Sequence, residues 1–170
     1  EENSSLGFLI FDIDYFKQIN DNFGHIIWDD VLKIFVEIFT QEIYNKDKLY
    51  RLWWDEFSLI IRNINDKNIL ISKINRLKKS FLEEIKTKYW ITNCWLSIWL
   101  KEMEISEFQN KPKKEIENEV DKYMYFWKQY KNENWLIEKN AIVTPKINQD
   151  TKEIEYIELI KENYSLKIKQ

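Results

Sequence analysis

The sequence predicts an α+β fold, a central antiparallel-containing sheet with helices packed on it in the manner of a split βαβ, ferredoxin-like core. Three observations carry this. Short apolar runs such as LGFLIFDID at 6–14 and WITNCWLSIWL at 90–100 have strand length and strand composition. Other stretches repeat their apolar residues at helical spacing. The two kinds follow one another as strand, helix, hairpin, helix, strand, helix, strand.

Each element has its own signal. LGFLIFDID is a buried strand that delivers Asp12 and Asp14 at its carboxyl end. From Asp29 the period changes: Val31, Leu32, Phe35, Ile38, Phe39 and Ile43 mark a helix with acids in its first turn, where they complement the dipole. LYRL and FSLIIR form a hairpin around RLWWDEF, residues 51–57. Ile71, Ile74, Leu77, Phe81 and Ile85 mark a second helix, with Asn65 or Asp66 as its cap. Residues 90–100 alternate as a central strand, placing Trp95, Ser97 and Trp99 on one face and Leu96, Ile98 and Leu100 on the other. Beyond Pro112, KKEIENEVDKYMYFWKQY reads as a helix and WLIE at 135–138 as a last strand. Residues 141–170 form a linker, an extension or the start of a further module, and no internal repeat is present.

Composition bounds the function. A chain of 170 residues with 44% hydrophobic and 16% aromatic content holds one ordinary core. A net charge of −3 argues against a general nucleic-acid binder, which would carry a basic stripe. The single cysteine, Cys94, excludes an internal disulfide, and no long apolar run offers a membrane span. The expected location is the cytoplasm. The chain opens at Glu1 and enters a strand within a few residues, so the expectation is a fragment without a signal peptide and with an upstream part missing.

The chemistry-bearing residues are acids. Asp12 and Asp14 end the first strand, and Asp55 and Glu56 sit in the hairpin turn. Taken by spacing alone, acids in such places are explained by solvation. If the first strand lies beside the hairpin, however, they form a cluster of hard oxygen ligands suited to magnesium carrying substrate phosphates. Phosphoryl and nucleotidyl transfer need such a site.

The string FDIDYFKQINDNFGHIIWDD resembles the opening signature of the GGDEF family, the diguanylate cyclases: a strand ending D-x-D, then F-K-x-I-N-D, G-H and G-D. RLWWDEF falls where that family carries R-x-G-G-D-E-F. NCWLSIWL resembles its later S-x-G-x-S-x-G strand, and VDKYMYFWKQ its last helix. The likeness covers about residues 6–139 and implies the nucleotidyl-cyclase palm fold. A class III nucleotide cyclase shares the palm chemistry but fits FKQINDNFGH less well.

Against the family pattern, Trp28, Trp53, Trp54, Trp95 and Trp99 stand at glycine positions and Trp127 at a small-residue position. The chain has 2 glycines against 8 tryptophans, far below the roughly 7% glycine of an ordinary domain. The economical explanation is a UGA codon that means glycine in the source and was read as tryptophan. Left-handed turn positions, where a Cβ is strained, are then expected at Trp53 and Trp54. The other reading is a genuine tryptophan-rich hairpin held by cross-strand aromatic contacts.

The resemblance implies that two GTP molecules are condensed to cyclic di-GMP, each held by one domain of a homodimer. It implies that Asp12, Asp55 and the Ile13 carbonyl hold magnesium or manganese, that Asp55 deprotonates the attacking hydroxyl, and that Glu56 assists. Asn20 and Asp29 would read the guanine edge, His25 would lie near the nucleotide, and Lys17 and Lys128 would meet the phosphates. Asp14 is structural. Residues 1–140 would form the domain without its N-terminal part, 141–170 the extension, and a sensor would lie upstream. Departures accompany the match. YNKD at 44–47 replaces the inhibitory R-x-x-D with Tyr44 at the arginine, and KQYKNENW lacks the G-R-N that follows the last helix. The alternative is a degenerate domain that binds GTP or relays a signal without chemistry.

Overall fold

The computed structural model describes residues 5–44, 46–64, 66–112, 114–115, 118, 121–122, 125, 142–147 and 154–158. Its elements run β1 (Ser5–Asp14), α1 (Phe16–Gln41), β2 (Lys48–Arg51), β3 (Glu56–Ile64), α2 (Lys67–Tyr89), β4 (Trp95–Glu104), α3 (Ile105–Asn110), β5 (Ile142–Ile147) and β6 (Ile154–Glu158). The strands form one sheet in the order β2-β3-β1-β4-β5-β6. All neighbours are antiparallel except β4 and β5, which meet at Ile98↔Ile142 and Trp99↔Val143. The α+β architecture is therefore as the sequence predicts.

Strand β1 lies inside the sheet because Leu6 through Phe11 are apolar or glycine on both faces. Leu9, Phe11 and Ile13 face a core shared with Phe57 and Leu59 of β3, Leu96, Ile98 and Leu100 of β4, and the apolar faces of α1 and α2. Phe35 stacks on Phe57 and Phe39 at centroid distances of 4.3 and 4.2 Å, and Phe11 meets both Phe35 and Phe39 edge-on. The alternate residues of β1 point the other way. There Ile10 pairs with Trp99, and the Trp99 indole meets the Phe8 ring edge-on at 6.1 Å. Burial on both sides makes Leu96 through Leu100 wholly buried, so the alternation seen in the sequence separates two cores rather than core from solvent.

Apart from the short helix α3, for which the sequence reading has no counterpart, three details differ from that reading. The first helix starts at Phe16 rather than near Asp29, and Gly24 at φ 80, ψ 169 breaks it into two segments. Phe16 and Ile19 bury one face of the leading segment, a pair too short to register as a period. Second, residues 142–147 and 154–158 continue the sheet as β5 and β6. Third, Trp53 and Trp54 are not left-handed: among the described residues positive φ occurs only at Tyr15, Gly24 and Trp90. The strain expected in the tryptophan turn is absent, and it lies instead at Tyr15 before α1 and at Trp90 at the end of α2.

Elsewhere local signals and structure agree. Asp66 caps α2, accepting from the Asn68 N–H at 2.7 Å. Lys114, Glu115, Asn118, Asp121, Lys122 and Tyr125 are helical, in the stretch read as a helix beyond Pro112. The segment WLIE at 135–138 lies outside the described residues. Among the described residues no helix is long and apolar enough to cross a membrane.

Candidate functional site

The sheet register brings the two acid motifs together. Asp12 of β1 is directly opposite Glu56 of β3, and the next pair inward is Phe11↔Phe57. Paired residues project from the same face, and antiparallel partners stand about 4.5–5.5 Å apart at Cα. Asp55, the residue before β3, accepts the Ile13 N–H through its carbonyl at 3.1 Å. Asp12, Ile13, Asp55 and Glu56 thus meet at one end of the sheet although they come from strands about 40 residues apart in the chain. Glu56 is 3% exposed, while Asp12 and Asp55 are half-buried at the edge of solvent.

The turn itself is held by Arg51. Its guanidinium donates to the Trp53 carbonyl at 3.1 Å and the Trp54 carbonyl at 2.8 Å. The Leu52 N–H closes the loop on the Glu56 carbonyl at 2.8 Å. The Trp53 and Trp54 side chains stand out, 68% and 69% exposed. The sequence marks Arg51 only as the first residue of RLWWDEF, where the family motif also has arginine, and says nothing of this role.

The residues on α1 lie across from this turn. The Trp28 ring packs on Trp54 at 5.6 Å, on His25 at 5.7 Å and edge-on to Phe16 at 4.7 Å, bridging helix and hairpin. Lys17, His25 and Asp29 are exposed on α1, and Asn20 is half-buried. Two buried polar atoms here, Asn20 Oδ1 and Trp28 Nε1, have no hydrogen-bond partner among the described residues. Such atoms are costly unless a ligand or water meets them. Lys128 lies outside the described residues, as does Trp127.

Asp14 lies on the same face of β1 as Asp12 but is held by a different contact. Buried, it accepts a hydrogen bond from Ser97 Oγ. It also faces Cys94, whose thiol is pushed up to about 12, first by burial and then by the Asp14 charge. Asp47 is likewise occupied: its carboxylate accepts the Tyr44 N–H at 2.9 Å and the Arg62 N–H at 3.1 Å, organising the entry to β2. Tyr44 beside it is 76% exposed and carries the Lys73 ammonium 4.9 Å over its ring.

Asp30, which the sequence reading did not single out, joins α1 to the end of α2. Tyr89 Oη donates to its Oδ2 at 2.6 Å, and Lys33 and Lys88 lie at 3.4 and 3.8 Å. The Tyr89 hydrogen bond, followed by that of Lys33, holds the Asp30 carboxyl below its ordinary value. Nothing in the local pattern marks this contact, because its partners are 59 residues apart.

The donor set expected from the sequence is of the hard kind that suits a divalent cation. It is made of oxygen alone, Asp12, Asp55 and the Ile13 carbonyl, with Glu56 opposite. Among the described residues no group of three or more His, Cys, Asp or Glu is placed to hold a metal. Magnesium uses one or two carboxylates and completes its shell with phosphate oxygens and water, so two acids and a carbonyl suit it better than a protein-only cage would.

The family profile described as diguanylate cyclase, GGDEF domain, matches residues 1–134. The diguanylate cyclase DgcS of Shewanella oneidensis is 34% identical over 74 residues, 43% of this chain and 25% of that protein. The probable diguanylate cyclase DgcI of Escherichia coli is 48% identical over 52 residues, 30% of this chain and 12% of that protein. The matched part therefore spans a quarter or less of these curated relatives. Among solved structures, a microbial GGDEF domain described in its interaction with cyclic di-GMP superposes with a TM-score of 0.60. It is 24% identical, and the match covers 82% of this chain and 76% of that one, a likeness of fold.

Proposed function

Because this chain belongs to the GGDEF domain family, we propose that it is a signalling domain which condenses two GTP molecules to cyclic di-GMP with release of pyrophosphate. The observation that carries the reading is the β1–β3 register, with Asp12 opposite Glu56 and Asp55 tied to Ile13. A site of this kind needs acids at a sheet end where phosphates can approach, and this is the one place among the described residues where the signature acids meet.

In this reading Asp12, Asp55 and the Ile13 carbonyl hold the divalent cation, magnesium or manganese. When bound, it supplies charge neutralisation on the triphosphate. Asn20 and Asp29 hold the guanine edge, and the unpartnered Asn20 Oδ1 supports a ligand donor at that position. Lys17 and Lys128 hold phosphate oxygens as mobile point charges. His25 borders the nucleotide. Asp55 takes the proton from the 3′-hydroxyl of one GTP as that oxygen bonds to the α-phosphate of the other, and Glu56 keeps the charge in place. Each domain holds one GTP, so a homodimer completes the site. The domain is residues 1–140 and residues 141–170 are its extension, in a cytoplasmic part of a larger protein with its sensor upstream. Product feedback through residues 44–47 is absent, since Tyr44 cannot replace a bidentate guanidinium and the Asp47 carboxylate already serves two backbone N–H groups.

A second reading is favoured by one observation. Trp28 on α1 and Trp54 on the hairpin are in ring contact at 5.6 Å, across the approach that phosphates would use. With these tryptophans in place the domain relays a signal or holds GTP without chemistry. With glycine there, as the UGA explanation requires, the approach is open. Incubating the chain as given and its Trp28→Gly, Trp53→Gly, Trp54→Gly variant with GTP and magnesium, and assaying cyclic di-GMP, separates the two. Product from the glycine variant alone supports the cyclase with recoded glycines. Absence of product from both, with GTP still bound, supports the relay.

A further inference from the structure

The geometry points to Tyr89 as a positioning residue for Asp29, acting through the neighbouring Asp30, which the Tyr89 phenol ties to the end of α2. The inference rests on the reading of Asp29 as the carboxylate that meets guanine.

The argument begins at Gly24. At φ 80, ψ 169 it interrupts α1, so the segment that carries His25, Trp28 and Asp29 does not inherit its direction from Phe16–Phe23 through an unbroken hydrogen-bond ladder. Its direction must come from what it touches. Val31, Leu32, Ile34 and Phe35 bury one face beyond Asp29, and ahead of it Ile27 and Trp28 are partly buried against the core through apolar contacts that leave the rotation of the turn less defined than a directional bond does. At the leading end the polar hold is Asp30. Tyr89 Oη donates to Oδ2 at 2.6 Å, Lys33 Nζ is 3.4 Å from Oδ1, and Lys88 Nζ is 3.8 Å from Oδ2.

These three contacts are not equal. The lysines are ammonium groups on flexible stems, and at those distances they tolerate a range of positions. A phenol donating to a carboxylate is short and directional. Tyr89 is also itself fixed. It is the last residue of α2, half-buried, with Lys88 5.2 Å from its ring centroid and the chain turning at once through Trp90 into buried Ile91. Successive residues on a helix point about 100° apart. Drawing Asp30 onto α2 therefore turns Asp29 away from it, in agreement with the exposure of Asp29. The charged and titratable groups around Asp30 are Lys33 on its own helix and Lys88 and Tyr89 on α2, with Glu84 acting on Lys88.

Tyr89→Phe keeps the ring and removes only the donor. Measured on the whole chain, in whichever of the two versions above binds nucleotide, calorimetry with magnesium and either GTP or inosine triphosphate reads the effect. Inosine lacks the exocyclic amine that Asp29 would accept from. Tyr89→Phe is expected to weaken GTP by about threefold to tenfold and to narrow the GTP-to-inosine preference by the same factor, while product formation at saturating GTP stays within about twofold. Asp30→Asn keeps an acceptor for the phenol and is expected to retain most of the preference. A preference unchanged in Tyr89→Phe would overturn the proposal. If neither version binds GTP, the cyclase reading fails and NMR decides the clamp. Tyr89→Phe must then raise the titration of the Asp30 carboxyl carbon and shift the Asp29 amide, and an unmoved Asp29 amide sinks the inference independently.

Discussion

In the chain as given, with its other tryptophans in place, replacing Trp90 by glycine should stabilise this domain, and replacing Trp99 by glycine should destabilise it. Trp90 caps α2 at φ 60, ψ 23 with its N–H on the Lys86 carbonyl at 2.8 Å, a left-handed helix end of the kind that favours glycine. A side chain in that region is strained by roughly 1–2 kcal/mol. Removing it restores freedom to the unfolded chain worth about 0.4–1 kcal/mol in the opposite direction. The indole is 86% exposed, so little apolar burial is lost with it. The balance is a gain of about 0.5–1 kcal/mol, read as a higher urea midpoint at unchanged slope. Trp99 is the reverse case, 1% exposed in the middle of β4 with its ring against Phe8. Truncation there costs about 3–5 kcal/mol. Equilibrium unfolding in urea followed by circular dichroism tests both. A destabilised Trp90→Gly would refute the backbone argument, and a neutral Trp99→Gly would refute the burial argument.

Further outcomes are expected at the acids and at the thiol. Asp12→Asn and Asp55→Asn should each lower cyclic di-GMP formation by about a hundredfold or more in whichever version of the chain is active, measured as initial rate at saturating magnesium. The pH dependence of stability should carry a contribution from Asp30, whose pKa is lowered in the folded protein, first by the Tyr89 hydrogen bond. A depressed carboxyl stabilises the fold fully above its unfolded pKa, about 3.9, and that contribution is lost as pH falls through the lower folded value. The drop in urea midpoint on acidification should therefore be shallower in Tyr89→Phe. Cys94, 5% exposed and pushed up to about 12, should resist a thiol reagent at neutral pH and react at the rate of unfolding.

Much of this molecule is written locally. Strand and helix types followed from the period of apolar residues and the α2 cap from Asp66, and the candidate site was proposed from two strings of adjacent residues, because each depends on neighbours within one turn or one strand. The short leading segment of α1 escaped notice because Phe16 and Ile19 alone do not make a period. The turn at Trp53 and Trp54 misled for a related reason: a glycine-rich pattern suggests positive φ, yet Arg51 holds that loop in ordinary conformations by two carbonyl contacts.

By itself, then, the sequence determined the kinds of the main elements from β1 to β4, the candidate acids and the family. Tertiary structure decided that Asp12 faces Glu56, that Trp99 is core while Trp90 is exposed, and that Asp47 serves the backbone. It also decided that Asp30 answers to Tyr89 across 59 residues. The reason is physical. Periodicity and capping are energies between near neighbours, whereas register, burial and hydrogen-bond partnership are chosen by the whole chain at once, when the sheet selects which strands lie side by side.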